Sequence, residues 1–169
     1  MARTLSNSAL AELAQHVGYE ASQLGGAATL IERGHFPTSG GTDVERIVGN
    51  ALLESALLHL RSLNDFFGRT ASSHMEDVFA VDFLPSWDPR WVLTVDEKKT
   101  LDQRLAHLTT ARRGRPLRWE SRRMRDMGRV FGAFAAELRD GWPVRFAWFK
   151  VHVSEAEYPI VTRGSTIAS

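Results

Sequence analysis

Residues 42–45 read Thr-Asp-Val-Glu, and 22 residues free of Gly-Pro breakers, apart from Gly49, follow before Gly68. This is a capping box. The Thr42 hydroxyl and the Glu45 carboxylate each satisfy an orphan amide of a first helical turn. The pattern predicts a helix over 43–67 that stops at Gly68. It carries Ile47, Val48, Leu52, Leu53, Leu57, Leu58, Leu60, Leu63 and Phe66, so apolar groups face nearly every side. A helix apolar all round is buried among others. The chain must therefore supply neighbours for a central helix, and that requirement points to a bundle.

The neighbours are legible. Over 8–33, Leu10, Leu13, Val17, Ala21, Leu24, Ala28 and Ile31 recur at spacings of three and four, which makes one apolar helical stripe. Gly18, Gly25 and Gly26 weaken that helix locally. A second capping box, Thr94-Val-Asp-Glu97, opens a helix over 94–111 with Leu101, Leu105 and Leu108 as its buried stripe. A fourth helix spans 117–140, with Met124, Met127, Phe131, Phe134 and Leu138 on one face, and Gly141 and Pro143 end it. Residues 69–93 lack a helical period; they read as an ordered loop long enough to hold a short helix. Residues 144–153 are aromatic and β-branched, a strand or a packed tail. The fold expectation is an all-α, up-down bundle of four to five helices, with a long ordered loop between helices two and three. One domain over 1–153 precedes a loosely held tail over 154–169.

Composition narrows the function classes. The chain has 169 residues, no cysteine, 43% hydrophobic and 24% charged residues. No cysteine-based disulfide or metal site can form. No apolar run approaches the roughly 18–20 residues of a membrane span, and no signal-type apolar segment follows the N-terminus. A cytoplasmic protein without membrane contact is expected. P-loop, Gly-x-Gly-x-x-Gly and Gly-x-Ser-x-Gly patterns are absent from the sequence. No cofactor is expected.

Polar residues interrupt the central helix. Glu54, Leu58, Arg61 and Asp65 share one stripe, and His59 points elsewhere. One reading is a structural network, with Arg61 paired to Asp65 and Glu54 and His59 a satisfied core histidine. The other is a polar pocket between helices. His59 and His107 are the acid/base candidates, because imidazole titrates near neutrality unaided. A metal site is not expected: the di-iron type needs two Glu-x-x-His motifs and the sequence has one, Glu32 to His35, and His-Glu-x-x-His does not occur.

The segments His59-Leu-Arg61-Ser-Leu63-Asn-Asp65-Phe66, Asp77-Val-Phe-Ala-Val-Asp82-Phe83 and His107-Leu-Thr109-Thr-Ala-Arg112 resemble those of uncharacterised bacterial all-helical proteins. These in turn are similar to HEPN-like bundles, some from toxin–antitoxin and abortive-infection systems. The resemblance covers roughly 42–140. It implies a bacterial helical bundle, often a homodimer, with His59 and Arg61 near His107 and Arg112. Arg69 to His74 and Arg145 to His152 match only the bare spacing of the HEPN nuclease motif. A chain with 18 Arg and 6 His supplies such spacings by chance. Nuclease chemistry therefore does not carry over at the motif.

The arginines themselves are concentrated. Residues 112–129 hold eight Arg against Glu120 and Asp126, a net of +6. Arg118, Arg122, Arg125 and Arg129 lie within about 40° of one line on helix four, opposite its apolar stripe. Residues 76–97 carry six acids and Arg90, a net of −5. The basic face can bind nucleic acid, dock on the acidic segment within or between subunits, or simply be solvated. The functional expectation is a non-catalytic interaction or regulatory protein of the HEPN-like kind, linked to defence, that binds a protein partner or nucleic acid. The alternative is an RNA-processing or other hydrolytic enzyme using His59, Arg61, His107 and Arg112.

Overall fold

The computed structural model describes residues 5–34, 41–71, 74, 76–105 and 121–141. They form five helices: α1 (Asn7–Glu32), α2 (Asp43–Gly68), α3 (Ala80–Phe83), α4 (Val95–Leu105) and α5 (Ser121–Gly141). No strand occurs among the described residues, and no helix there is long and apolar enough to cross a membrane.

The Thr42 capping box forms as its chemistry requires. The Glu45 amide donates to Thr42 Oγ1 at 3.3 Å, and the Thr42 amide donates to Glu45 Oε2 at 2.8 Å. The Thr42 amide and the Thr42 hydroxyl, both donating to Glu45 Oε2, hold the Glu45 carboxyl below its usual range. The second box repeats the pattern at Thr94 and Glu97. α1 has its own cap at Ser6, whose hydroxyl accepts from the Ala9 amide.

α2 is the central helix and packs on each of the other four. Its most extensive partner is α1. There Leu10, Val17, Ala21, Leu24 and Ala28 are buried, while Leu13 and Ile31 are half-buried at the margin. The α5 stripe is buried at all five expected positions: Met124, Met127, Phe131, Phe134 and Leu138.

The core is densest where α2 ends. Phe66, Phe67, Phe83, Trp87, Phe131 and Phe134 meet there, mostly edge to face, with centroids as close as 4.9 Å. Such geometry suits the ring quadrupole. Asn64, fully buried, turns the chain beside this cluster: its Oδ1 accepts from the amides of Val92 and Leu93 at 2.9 and 2.8 Å. The Phe67 carbonyl accepts from Trp87 Nε1 and from the Arg90 amide, both at 3.0 Å. Together they clamp residues 87–93 onto the end of α2. A Cβ at Gly68 would lie 2.4 Å from the Trp91 ring, so any other residue there must displace that ring.

One expectation about α2 needs correction. Its apolar groups do not all find cover within the bundle: Ile47 and Leu58 are exposed, as is Val44. The expected helix over 94–111 is seen as α4 up to Leu105, and 106–111 lies outside the described residues. So do 117–120 of the fourth helix, the segment 144–153 and the tail over 154–169.

Candidate functional site

Two charged regions border the core. The first lies between α2 and α4. Arg61 and Asp65 are spaced i,i+4 on α2, and Lys98 and Asp102 are spaced i,i+4 on α4. The helices run antiparallel, so each cation meets the other helix's acid. Arg61 Nε donates to Asp102 Oδ1. Lys98 Nζ lies 3.5 Å from Asp65 and 3.2 Å from Asp102. Arg69, a turn further on, reaches Asp65 at 3.8 Å. Burial alone would raise the Asp102 carboxyl, but hydrogen bonds from Arg61 and Lys98 and their positive charge outweigh it and hold it low. The expected pairing of Arg61 with Asp65 and Glu54 is thus replaced. Asp102 on α4 captures Arg61, while Glu54 remains exposed on the wall of a groove.

That groove, about 340 Å³, opens between α2 and α4. Ala51, Leu58, Leu101 and Leu105 provide its apolar lining, and Glu54, Ser55, Arg61 and Asp102 its polar groups.

His59 sits on a different side of α2 from Arg61. Its Nδ1 lies 2.8 Å from Glu20 Oε2 on α1, and its ring meets Tyr19 edge to face at 5.9 Å. Its side chain is 12% exposed. Among the proposed catalytic set, then, His59 faces α1 and Arg61 faces α4. His107 and Arg112 lie outside the described residues. No group of three or more His, Asp or Glu side chains arranged for a metal occurs among the described residues.

The second charged region is α5. Arg122, Arg125 and Arg129 are exposed opposite the buried stripe, and Arg118 lies outside the described residues. Arg123, one position off that line, turns inward instead. Its Nε and Nη2 both donate to Glu97 Oε1, at 3.0 and 2.6 Å. Burial raises the Glu97 carboxyl, yet the Thr94 amide, Arg123 and the Thr94 hydroxyl together hold it low. Glu97 thereby both caps α4 and ties it to α5. A second tie joins Arg90 to Glu137 at 3.6 Å, and the Arg90 guanidinium stacks 4.8 Å over Trp87. The acidic segment therefore does meet α5, through Arg123 and Glu137. Arg129 makes only a local 3.4 Å contact with Asp126.

Sequence reasoning missed Lys98, Asp102 and the Arg123–Glu97 tie. A signal for the first was present: the order plus-minus on α2 and plus-minus on α4 becomes complementary once the helices are antiparallel. Comparison with known proteins returns no matching family model, no matching curated protein and no matching solved structure.

Proposed function

We propose that this chain is a non-catalytic interaction protein of the HEPN-like, defence-linked kind, working as a homodimer in the bacterial cytoplasm and engaging nucleic acid through the arginine row of α5. The observation that carries this is the division of labour among neighbouring arginines. Arg123 is spent on Glu97, while Arg125 and Arg129 stay exposed on one face, opposite the buried apolar stripe. A row of guanidinium groups at one-turn spacing suits phosphate backbones, which bind by charge neutralisation and counterion release. The row lacks interleaved aromatic groups on α5, so the mode favoured is backbone contact rather than base stacking.

Of the residues the enzymatic alternative would use, His59 is engaged with Glu20 and Arg61 with Asp102. Those two pairings support binding over chemistry. The test is electrophoretic retardation of RNA and duplex DNA at low salt. Wild type is expected to retard both, and Arg122, Arg125 and Arg129 changed together to Glu is expected to retard neither. Absence of salt-dependent binding by wild type would end this reading.

A further inference from the structure

Asp126 interrupts the arginines of α5. It stands three residues after Arg123 and three before Arg129, which places the two guanidinium groups about 60° to either side of it on the helix. Its Oδ2 lies 4.0 Å from Arg123 Nη1, and its Oδ1 accepts from Arg129 Nη1 at 3.4 Å. One carboxylate therefore stands between an inner arginine and an outer one.

The two arginines are held unequally. Arg123 is 19% exposed, and Glu97 takes its Nε and Nη2 at 3.0 and 2.6 Å. Its remaining group, Nη1, is the one that faces Asp126. Arg129 is 79% exposed, and its 3.4 Å bond is longer than the roughly 2.7–2.9 Å of a strong charge-assisted pair. An exposed ion pair of that kind is weak and screened by salt. A phosphate offers the same guanidinium a shorter bond and a second, parallel one. Arg129 is therefore able to exchange its carboxylate for a phosphate. Asp126 is not stranded by the exchange, because Arg123 stays beside it. Arg125 differs: it is exposed and makes no ion pair among the described residues. As the immediate neighbour of Asp126 it points about 100° away, out of the carboxylate's reach.

We propose that Asp126 is a positioning residue for nucleic-acid binding: it holds Arg129 against α5 and must release it before a phosphate contact forms, so it limits the affinity of the basic face. This rests on the reading of α5 as a nucleic-acid face and adds to it the acid that governs one of its contacts.

The experiment is fluorescence anisotropy of labelled single-stranded RNA, titrated with the full chain at one low salt concentration. Both positions reach solvent, so the variants keep the fold. Asp126→Asn is expected to bind about threefold to tenfold tighter than wild type. Asp126→Glu keeps the charge and is expected to bind no tighter than wild type. Arg129→Gln is expected to bind more weakly than wild type. Added to Arg129→Gln, Asp126→Asn is expected to give less than about half of its gain on a logarithmic scale, because the arginine it acts through is gone. A negative charge felt only at a distance would give the same gain in both backgrounds. Three results would overturn the proposal: no gain from Asp126→Asn, a gain more than about half as large without Arg129, or Asp126→Glu as tight as Asp126→Asn. Wild type without salt-dependent binding would end the underlying reading as well. Wild type that binds while Asp126→Asn changes nothing would end this proposal alone.

Discussion

Polar side chains turned into this bundle and those turned out of it are of the same types but are held differently. Between α2, α4 and α5, Arg61, Lys98 and Arg123 each lie against a carboxylate on a neighbouring helix. On the outer face of α5, Arg125 and Arg129 stand exposed. Two positions along α5, from Arg123 to Arg125, separate the two situations. The difference teaches that the arginine excess is not one property. Half-buried pairs fix the spacing and direction of helices, because each guanidinium fork accepts few geometries. Exposed ones contribute little to folding and are available to a ligand. The near-neutral total charge conceals both uses.

The comparison breaks most visibly if the outer row is reversed. Arg125 and Arg129 changed to Glu should lower affinity for RNA by more than about tenfold while leaving the thermal midpoint nearly unchanged. Retardation and calorimetry on one preparation check both halves. Turning to the inside, Asn64→Leu should cost about 2–3 kcal/mol. The amides of Val92 and Leu93 lose their acceptor in a dry site. Urea unfolding measures this, and a cost near zero would show that the clamp on the end of α2 is dispensable.

Arg123→Ala should cost about 1 kcal/mol, because the half-buried Glu97 loses its bidentate donor. RNA binding should change little. The same inner carboxylates set a pH dependence. Glu97 and Asp102 have folded pKa values below their ordinary 4.5 and 3.8. Their stabilisation is therefore fully present above those values and lost as pH falls through them toward the folded pKa. Acid unfolding should begin in that range, and Asp102→Asn should flatten the profile. An unchanged profile would mean the α2–α4 pairs contribute nothing to acid sensitivity. Smallest of all, Arg125→Ala should alter stability by less than about 0.5 kcal/mol, as an exposed position does.

Much of this architecture could be read from residue order. The capping boxes at Thr42 and Thr94 formed because they are local chemistry, closed within one turn. The α5 stripe was legible at all five positions because a helix with one polar and one apolar face has a single way to pack. α2 was legible as central and in its bounds, but not in which of its apolar groups are covered. A residue such as Ile47 looks the same in sequence whether or not a neighbour covers it. Arg61 was assigned to the acids nearest on its own helix, since Asp102, 41 residues away, becomes a neighbour only through the antiparallel turn of the chain. Arg123 likewise needed the start of α4 in place before its partner Glu97 could be named. The candidate site was thus legible in its residue types and not in its pairings. His59 and Arg61 face different helices, α1 and α4, in keeping with their offset on α2.

The salt dependence of RNA binding tests the central claim most directly. Affinity measured by fluorescence anisotropy of labelled single-stranded RNA should fall linearly in log–log form with salt. Replacing Arg125 by Gln should reduce the slope by about 0.7, the value for one phosphate contact on a single strand. Arg123→Gln should leave the slope as it is. Binding that ignores salt, or a slope that responds to Arg123 and not to Arg125, would contradict the assignment of the outer row to ligand and the inner pairs to the fold.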